Sequence, residues 1–135
     1  MSSSTKSSSI ESSNQQRTIF LALACVVVPA IAILSFLPNS SKQIFHTRGR
    51  FHSWGHLLAF SVIAYLVARS ARSLRGRILF FIASVIFGVG IEVGEHLVFK
   101  SPLEWKDVLV DAAGVIGGTL IAIIASPAEQ NQASL

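Results

Sequence analysis

The sequence predicts an all-α integral membrane protein, and three observations lead to that prediction. Hydrophobic residues make up 51% of the 135-residue chain and charged residues only 13%, about half of the quarter that is usual in soluble domains. The mean hydropathy is +0.59. The apolar residues are gathered in four long runs, each of a length that suits a membrane helix. This composition excludes disorder for most of the chain and argues against a water-soluble globule.

Four transmembrane helices are predicted, at about residues 18–37, 52–68, 78–99 and 107–124, in one antiparallel bundle. The first run has 20 residues without a charge, which is about 30 Å of helix and matches the hydrocarbon core. Pro29 within it is compatible with a span, because neighbouring helices can satisfy the freed backbone groups. A cleaved signal peptide is the competing interpretation, but its apolar core is usually about 7–15 residues long.

Polar segments flank this four-helix domain of residues 18–126. Residues 1–17 contain eight serines and little to bury, so they are predicted to be a disordered tail. Residues 127–135 form a short polar tail. The single cysteine, Cys25, excludes an intrachain disulfide and a cysteine-based metal site.

Basic residues indicate the orientation in the membrane. With the N-terminus inside, six of the eleven Lys and Arg residues are cytoplasmic, including a dense cluster in the second loop. The cluster consists of Arg69, Arg72, Arg75 and Arg77. The positive-inside rule therefore favours cytoplasmic N- and C-termini, and the cluster suits anionic lipid. The remaining basic residues are sparse, so the bilayer is the expected partner and nucleic acid is not.

Polar side chains converge on the other side of the membrane. With four spans, the start of the second helix, the end of the third and the start of the fourth lie together, and their polar residues recur at helical i, i+3 and i+4 spacing. The candidate site residues are His52, His56, Glu92, Glu95, His96, Asp107 and Asp111. A charge in mid-membrane costs about 2.5–3.5 kcal/mol. The deepest two, Glu92 and Asp111, are therefore expected to face the interior or a water-filled pocket.

Three glycines accompany these residues. Gly88 lies one turn before Glu92, and Gly114 and Gly118 continue the stripe of Asp107 and Asp111. The Gly-x-x-x-Gly spacing allows close approach of helices, so these glycines are predicted to bring the acidic turn of the fourth helix against a neighbour.

Over about half of its length the chain resembles the VanZ-like family of small bacterial membrane proteins, in the order and spacing of these motifs. That family's helices carry Asp-Lys-x-x-His with a Tyr four residues later, Gly-x-x-x-Glu-x-x-Gln, and Asp-x-x-x-Asn-x-x-Gly-x-x-x-Gly. The matching residues here are His56, Gly88, Glu92, Asp107, Gly114 and Gly118. The departures are His52, Ser53, Phe60, Glu95 and Asp111, which stand for the Asp, Lys, Tyr, Gln and Asn.

The resemblance implies a protein of the bacterial inner membrane and cell envelope, with a role in resistance to envelope-targeting antibiotics. The expected function is to bind or modify a surface or lipid-linked molecule at the polar site near the outer face. A cell-wall precursor or a lipophilic antibiotic would be such a partner. The resemblance leaves the oligomeric state open.

Three other functions stay open on the residues alone. An intramembrane enzyme would use paired carboxylates or a divalent metal at the same site, although no cofactor is predicted and no metal site is assigned. The common zinc-protease patterns, the nucleophile elbow and the phosphate-binding loop do not occur in the sequence. A small transporter would couple membrane carboxylates to proton flow. A structural protein would use the polar residues only for helix packing.

Overall fold

The computed structural model describes residues 3–37 and 50–126, and side chains within them for residues 11–37 and 53–126. These residues form four helices and contain no strand, so the predicted all-α class is confirmed. The helices are α1 (Ser3–Ser35), α2 (Arg50–Ser70), α3 (Leu74–Phe99) and α4 (Trp105–Ile124).

Three of the helices are long and apolar enough to cross a membrane: Glu11–Ser35 within α1, all of α3 and all of α4. Large apolar side chains cover their outer faces. Ile86 of α3 is 65% exposed and Leu109 of α4 is 70% exposed, and such surfaces are stable when they contact lipid rather than water. The prediction that the chain has helices able to span a membrane is therefore confirmed.

The remaining helix, α2, has a more mixed composition because it carries His56 and Arg69 among its apolar residues. It is also the helix with the largest share of the described core. Its buried apolar residues are Phe60, Ile63, Ala64, Leu66 and Ala68. The buried core of the described residues therefore depends mainly on α2.

The N-terminal segment differs from its prediction as a disordered tail over residues 1–17, because α1 begins at Ser3. The described side chains of this segment are mostly exposed, so tertiary packing does not explain the extension. Helix formation is cooperative, and a nucleated apolar helix extends at low cost into the residues that precede it. The Thr18 hydroxyl, which donates to the Asn14 carbonyl at 3.0 Å, joins the polar segment to the apolar one.

Short connections join the last three helices. The Ser73 hydroxyl caps α3 by accepting the Gly76 N–H at 3.2 Å, as serine does at helix N-termini. At the other end Lys100 adopts a left-handed conformation with φ of 51°, which stops the helix. Contacts between the helices show their directions. His56 near the start of α2 meets Asp111 near the start of α4, whereas Arg77 near the start of α3 meets Ser126 just after the end of α4.

The helices pack around α2, which contacts α4 most extensively and α1 next. Phe20 of α1 meets Tyr65 of α2 edge to face, with ring centroids 5.9 Å apart. The buried core between α2, α3 and α4 consists of Phe60, Ala64, Ile91 and Val115. This arrangement places the first turns of α2 and α4 beside the last turns of α3.

Two of the four clustered arginines hold the C-terminal end of α4. Arg69 donates to the Ala125 carbonyl and to the Ser126 hydroxyl, both at 3.1 Å, and its guanidinium lies 5.2 Å from the Phe20 ring centroid. Arg77 donates to the same hydroxyl at 3.2 Å. Cations stabilise the last carbonyls of a helix. The other two arginines, Arg72 and Arg75, are exposed.

Replacing Arg69 with alanine is expected to fray the end of α4, because two hydrogen bonds to Ala125 and Ser126 are lost. The expected cost is about 1–2 kcal/mol. Hydrogen–deuterium exchange of the amides at residues 121–126 measures the fraying directly. Arg72→Ala is the matched control, since Arg72 is exposed. Equal exchange in the two variants would contradict the assigned role of Arg69.

Candidate functional site

The centre of the candidate site is a hydrogen bond between α2 and α4. His56 Nδ1 lies 2.9 Å from Asp111 Oδ1, and both residues occupy the first two turns of their helices. Asp111 is buried, with 2% of its surface exposed. The two residues are 55 positions apart in sequence, so only the packing of α2 on α4 brings them together.

Glu92 of α3 completes a group of three side chains. One ligand atom each from His56, Glu92 and Asp111 lies within 4.8 Å of the other two. Glu92 is only 6% exposed, and no hydrogen bond to its carboxylate is found among the described residues. We call these three residues the His–Glu–Asp site.

A second polar pair lies one turn nearer the helix ends. The Ser53 hydroxyl donates to Asp107 Oδ1 at 3.2 Å, and Asp107 is 3% exposed. Because Ser53 precedes His56 by three residues and Asp107 precedes Asp111 by four, both pairs lie on the same faces of α2 and α4. Asp107 also lies in the first turn of α4, where the helix dipole stabilises a negative charge.

Glycines allow the helices to approach each other closely at this site. A Cβ at Gly114 would lie 2.6 Å from the Leu57 carbonyl oxygen, and one at Gly118 only 2.1 Å from that of Ser61. The neighbour that the acidic face of α4 meets is therefore α2. On α3, a Cβ at Gly88 would lie 3.2 Å from Asp111 Oδ2, so this glycine lets Asp111 sit directly against the helix that carries Glu92.

Phe60 forms the apolar wall of the site. Its ring stacks against His56, with centroids 6.4 Å apart and planes 14° apart, and the residue is 1% exposed. In the sequence, Phe60 and Ser53 stand out only as departures from a family pattern. Their spacing of four and three residues from His56 was the signal that both lie on its helix face.

Some predicted site residues are not part of this group. His96 is exposed, and its Nδ1 lies in a hydrogen bond with the Ser101 carbonyl, so it contributes to the end of α3. Glu95 is half-buried and lies outside the group of three. The side chain of His52 lies outside the described residues.

The three side chains of the His–Glu–Asp site allow several kinds of chemistry. An imidazole and two carboxylates in an apolar surrounding can exchange a proton, accept hydrogen bonds from a ligand, or coordinate a cation. Burial strengthens each of these interactions, because the low dielectric of the interior screens them weakly. The exposed Trp54 and Trp105 lie at the same end of α2 and α4, as aromatic side chains do at a membrane interface.

Comparison with known proteins gives no relative of this chain: no family model, no curated protein and no solved structure matches it.

Proposed function

We propose that this chain is a four-span protein of the bacterial inner membrane, with α2 as the fourth span, in one antiparallel bundle. Support for α2 as a span comes from its 21 residues and from its many buried contacts with α1 and α4, two helices that can themselves cross a membrane. The arginines at residues 69–77 support cytoplasmic N- and C-termini. The His–Glu–Asp site then lies near the outer face.

The proposed function is that of a VanZ-like envelope protein that binds or modifies a surface or lipid-linked molecule and so contributes to resistance against envelope-targeting antibiotics. One observation carries the proposal: three separate helices contribute His56, Glu92 and Asp111 to one group, in which both carboxylate residues are buried and His56 is half-buried. Buried ionisable residues in a membrane protein are costly, and they commonly mark sites of function.

The resemblance to the VanZ-like family supports the same residues independently of their packing. Both His56 and Glu92 occur at positions where the family pattern has His and Glu, and Gly88, Gly114 and Gly118 match as well. Asp111 stands where the pattern has Asn. We expect this substitution to strengthen the contact with His56, since a carboxylate accepts a stronger hydrogen bond than an amide does.

A deletion strain of the source organism tests the function. Its growth is measured under cell-wall and membrane stresses, teicoplanin included. We expect a sensitivity that the wild-type gene restores and Glu92→Ala does not, at equal protein levels in the membrane. Glu104→Ala is the matched control, because Glu104 is an exposed carboxylate next to α4. Restoration by the triple alanine variant of the His–Glu–Asp site would refute the proposal.

The hydrogen bond between His56 and Asp111 favours a second candidate, an intramembrane enzyme with His56 as general base. A carboxylate that accepts from one imidazole nitrogen orients the ring and selects its tautomer, as in hydrolase triads. The variant Asp111→Asn separates the two candidates. A catalytic pair loses most of its activity when the carboxylate becomes an amide. A site that binds its ligand only through hydrogen bonds retains its phenotype with Asn at this position, as in the family pattern.

A further inference from the structure

The Glu92 side chain is placed where it can bind a ligand together with two other side chains. Glu92 is 6% exposed, and no described residue donates a hydrogen bond to its carboxylate. One of its oxygens lies within 4.8 Å of ligand atoms of His56 and Asp111. Two carboxylates this close repel each other when both are ionised, so a positive centre among these three side chains would stabilise the site.

We infer that His56, Glu92 and Asp111 form a binding site for one divalent transition-metal ion of the zinc type. This inference rests on the proposed function, because it names the cofactor of the same site. Imidazole nitrogen favours zinc and its neighbours in the periodic table over magnesium and calcium, which bind oxygen ligands. Three protein ligands leave a fourth position of a tetrahedral ion for water or for the ligand.

The dimensions of the site are compatible with such an ion after small side-chain movements. Zinc bonds to nitrogen and oxygen are about 2.0–2.2 Å long, so tetrahedral ligand atoms lie about 3.4 Å apart. The widest separation here is no more than 4.8 Å, and rotation within the Glu92 side chain can close the difference. Each ligand comes from a different helix, so the ion would join α2, α3 and α4 at the same end of the molecule.

The surroundings of the site have the features of metal centres in proteins. The Asp107 carboxylate, which accepts a hydrogen bond from Ser53, lies one turn away and would add negative charge near the ligands. Phe60 shields one side of His56 from water. An apolar shell of this kind controls the access of water to a metal and tunes its chemistry.

Zinc titration of the purified full-length protein in detergent tests the inference. After treatment with a chelator, we expect one Zn²⁺ ion per chain, which a hundredfold excess of Mg²⁺ does not displace. Glu92→Gln and His56→Gln are each expected to weaken binding by more than about 100-fold, since even an outer-sphere change costs 10–100-fold. The matched controls are Glu104→Gln and His96→Gln, which alter exposed residues and should bind as the wild type does.

Thermal unfolding of the wild-type protein gives a second measurement that needs no variant to fold. A ligand of the native state raises the midpoint of unfolding, so zinc should raise it and magnesium should not. Absence of stoichiometric zinc binding, or equal affinity in the wild type and both site variants, overturns the inference.

Two outcomes distinguish this inference from the proposed function. If the wild-type protein binds no zinc and Glu92→Ala fails to complement the deletion strain, only the metal site is overturned. Zinc binding that depends on Glu92, with full complementation by Glu92→Ala, would support the metal site and refute the envelope function.

Discussion

Replacing Gly118 with alanine is expected to destabilise the protein by about 3 kcal/mol, at the upper end of the cost of overpacking. The added methyl group would lie 2.1 Å from the Ser61 carbonyl oxygen, and 2.8 Å from the carbonyl carbon. Both atoms belong to the backbone of α2, so no side-chain rotation relieves the contact. The helices must separate, and the core around Val115 and Phe60 loses its packing.

Gly117→Ala is the matched control for this variant. Among the described residues, no atom outside the adjoining backbone of α4 lies within 4 Å of a Cβ at Gly117, and alanine is favoured over glycine in a helix by about 1 kcal/mol. The control should therefore be neutral or slightly more stable. Unfolding in detergent, followed by the loss of helical circular dichroism, measures both variants. If they have equal stability, α2 and α4 do not approach each other as closely as described.

The variant Asp111→Ala is expected to cost about 2–4 kcal/mol, because it leaves His56 in a half-buried position without the carboxylate 2.9 Å away. Asp111→Asn should cost much less, since the amide has nearly the same shape and retains an oxygen that accepts a hydrogen bond. The same unfolding measurement compares the two variants.

A double-mutant cycle with His56→Ala isolates the contact itself. If the hydrogen bond contributes to stability, the two alanine changes together should cost less than the sum of their separate effects, by about 1–3 kcal/mol. Additive costs would indicate that His56 and Asp111 stabilise the protein independently of each other. They would thereby remove the energetic basis for treating the pair as one site.

Helical spacing and the order of the helices predict which polar residues lie at this end of the molecule, and the exceptions have a physical cause. Spacing groups Glu92, Glu95 and His96 on one face of α3, but it contains no information about where the neighbouring helices begin. The close contact of Gly88 with Asp111 fixes the level at which α4 meets α3. That level includes Glu92, and it leaves His96 to bond with Ser101 beyond the packed region.

The ends of the helices also include some that the local sequence predicts and one that it does not. The stop of α3 before Pro102 and the start of α4 in the segment Glu104–Trp105 were predicted to within two residues, since charge and proline mark such boundaries locally. The start of α1 was not. A serine-rich composition predicts that a segment has little to bury, but continuation of a neighbouring helix into that segment depends on cooperative backbone hydrogen bonding, which composition does not describe.

By itself the sequence determined the class of the protein: an all-helical chain with helices able to span a membrane and with its buried acidic residues gathered toward one end. Hydropathy and periodicity carry that information because lipid and helix geometry act on each residue in its own segment. The tertiary structure decided which acids become partners. The pairing of His56 with Asp111, and the placement of Glu92 beside them, depend on helices that touch backbone to backbone at Gly114 and Gly118. Distances of that kind arise only when separate segments pack.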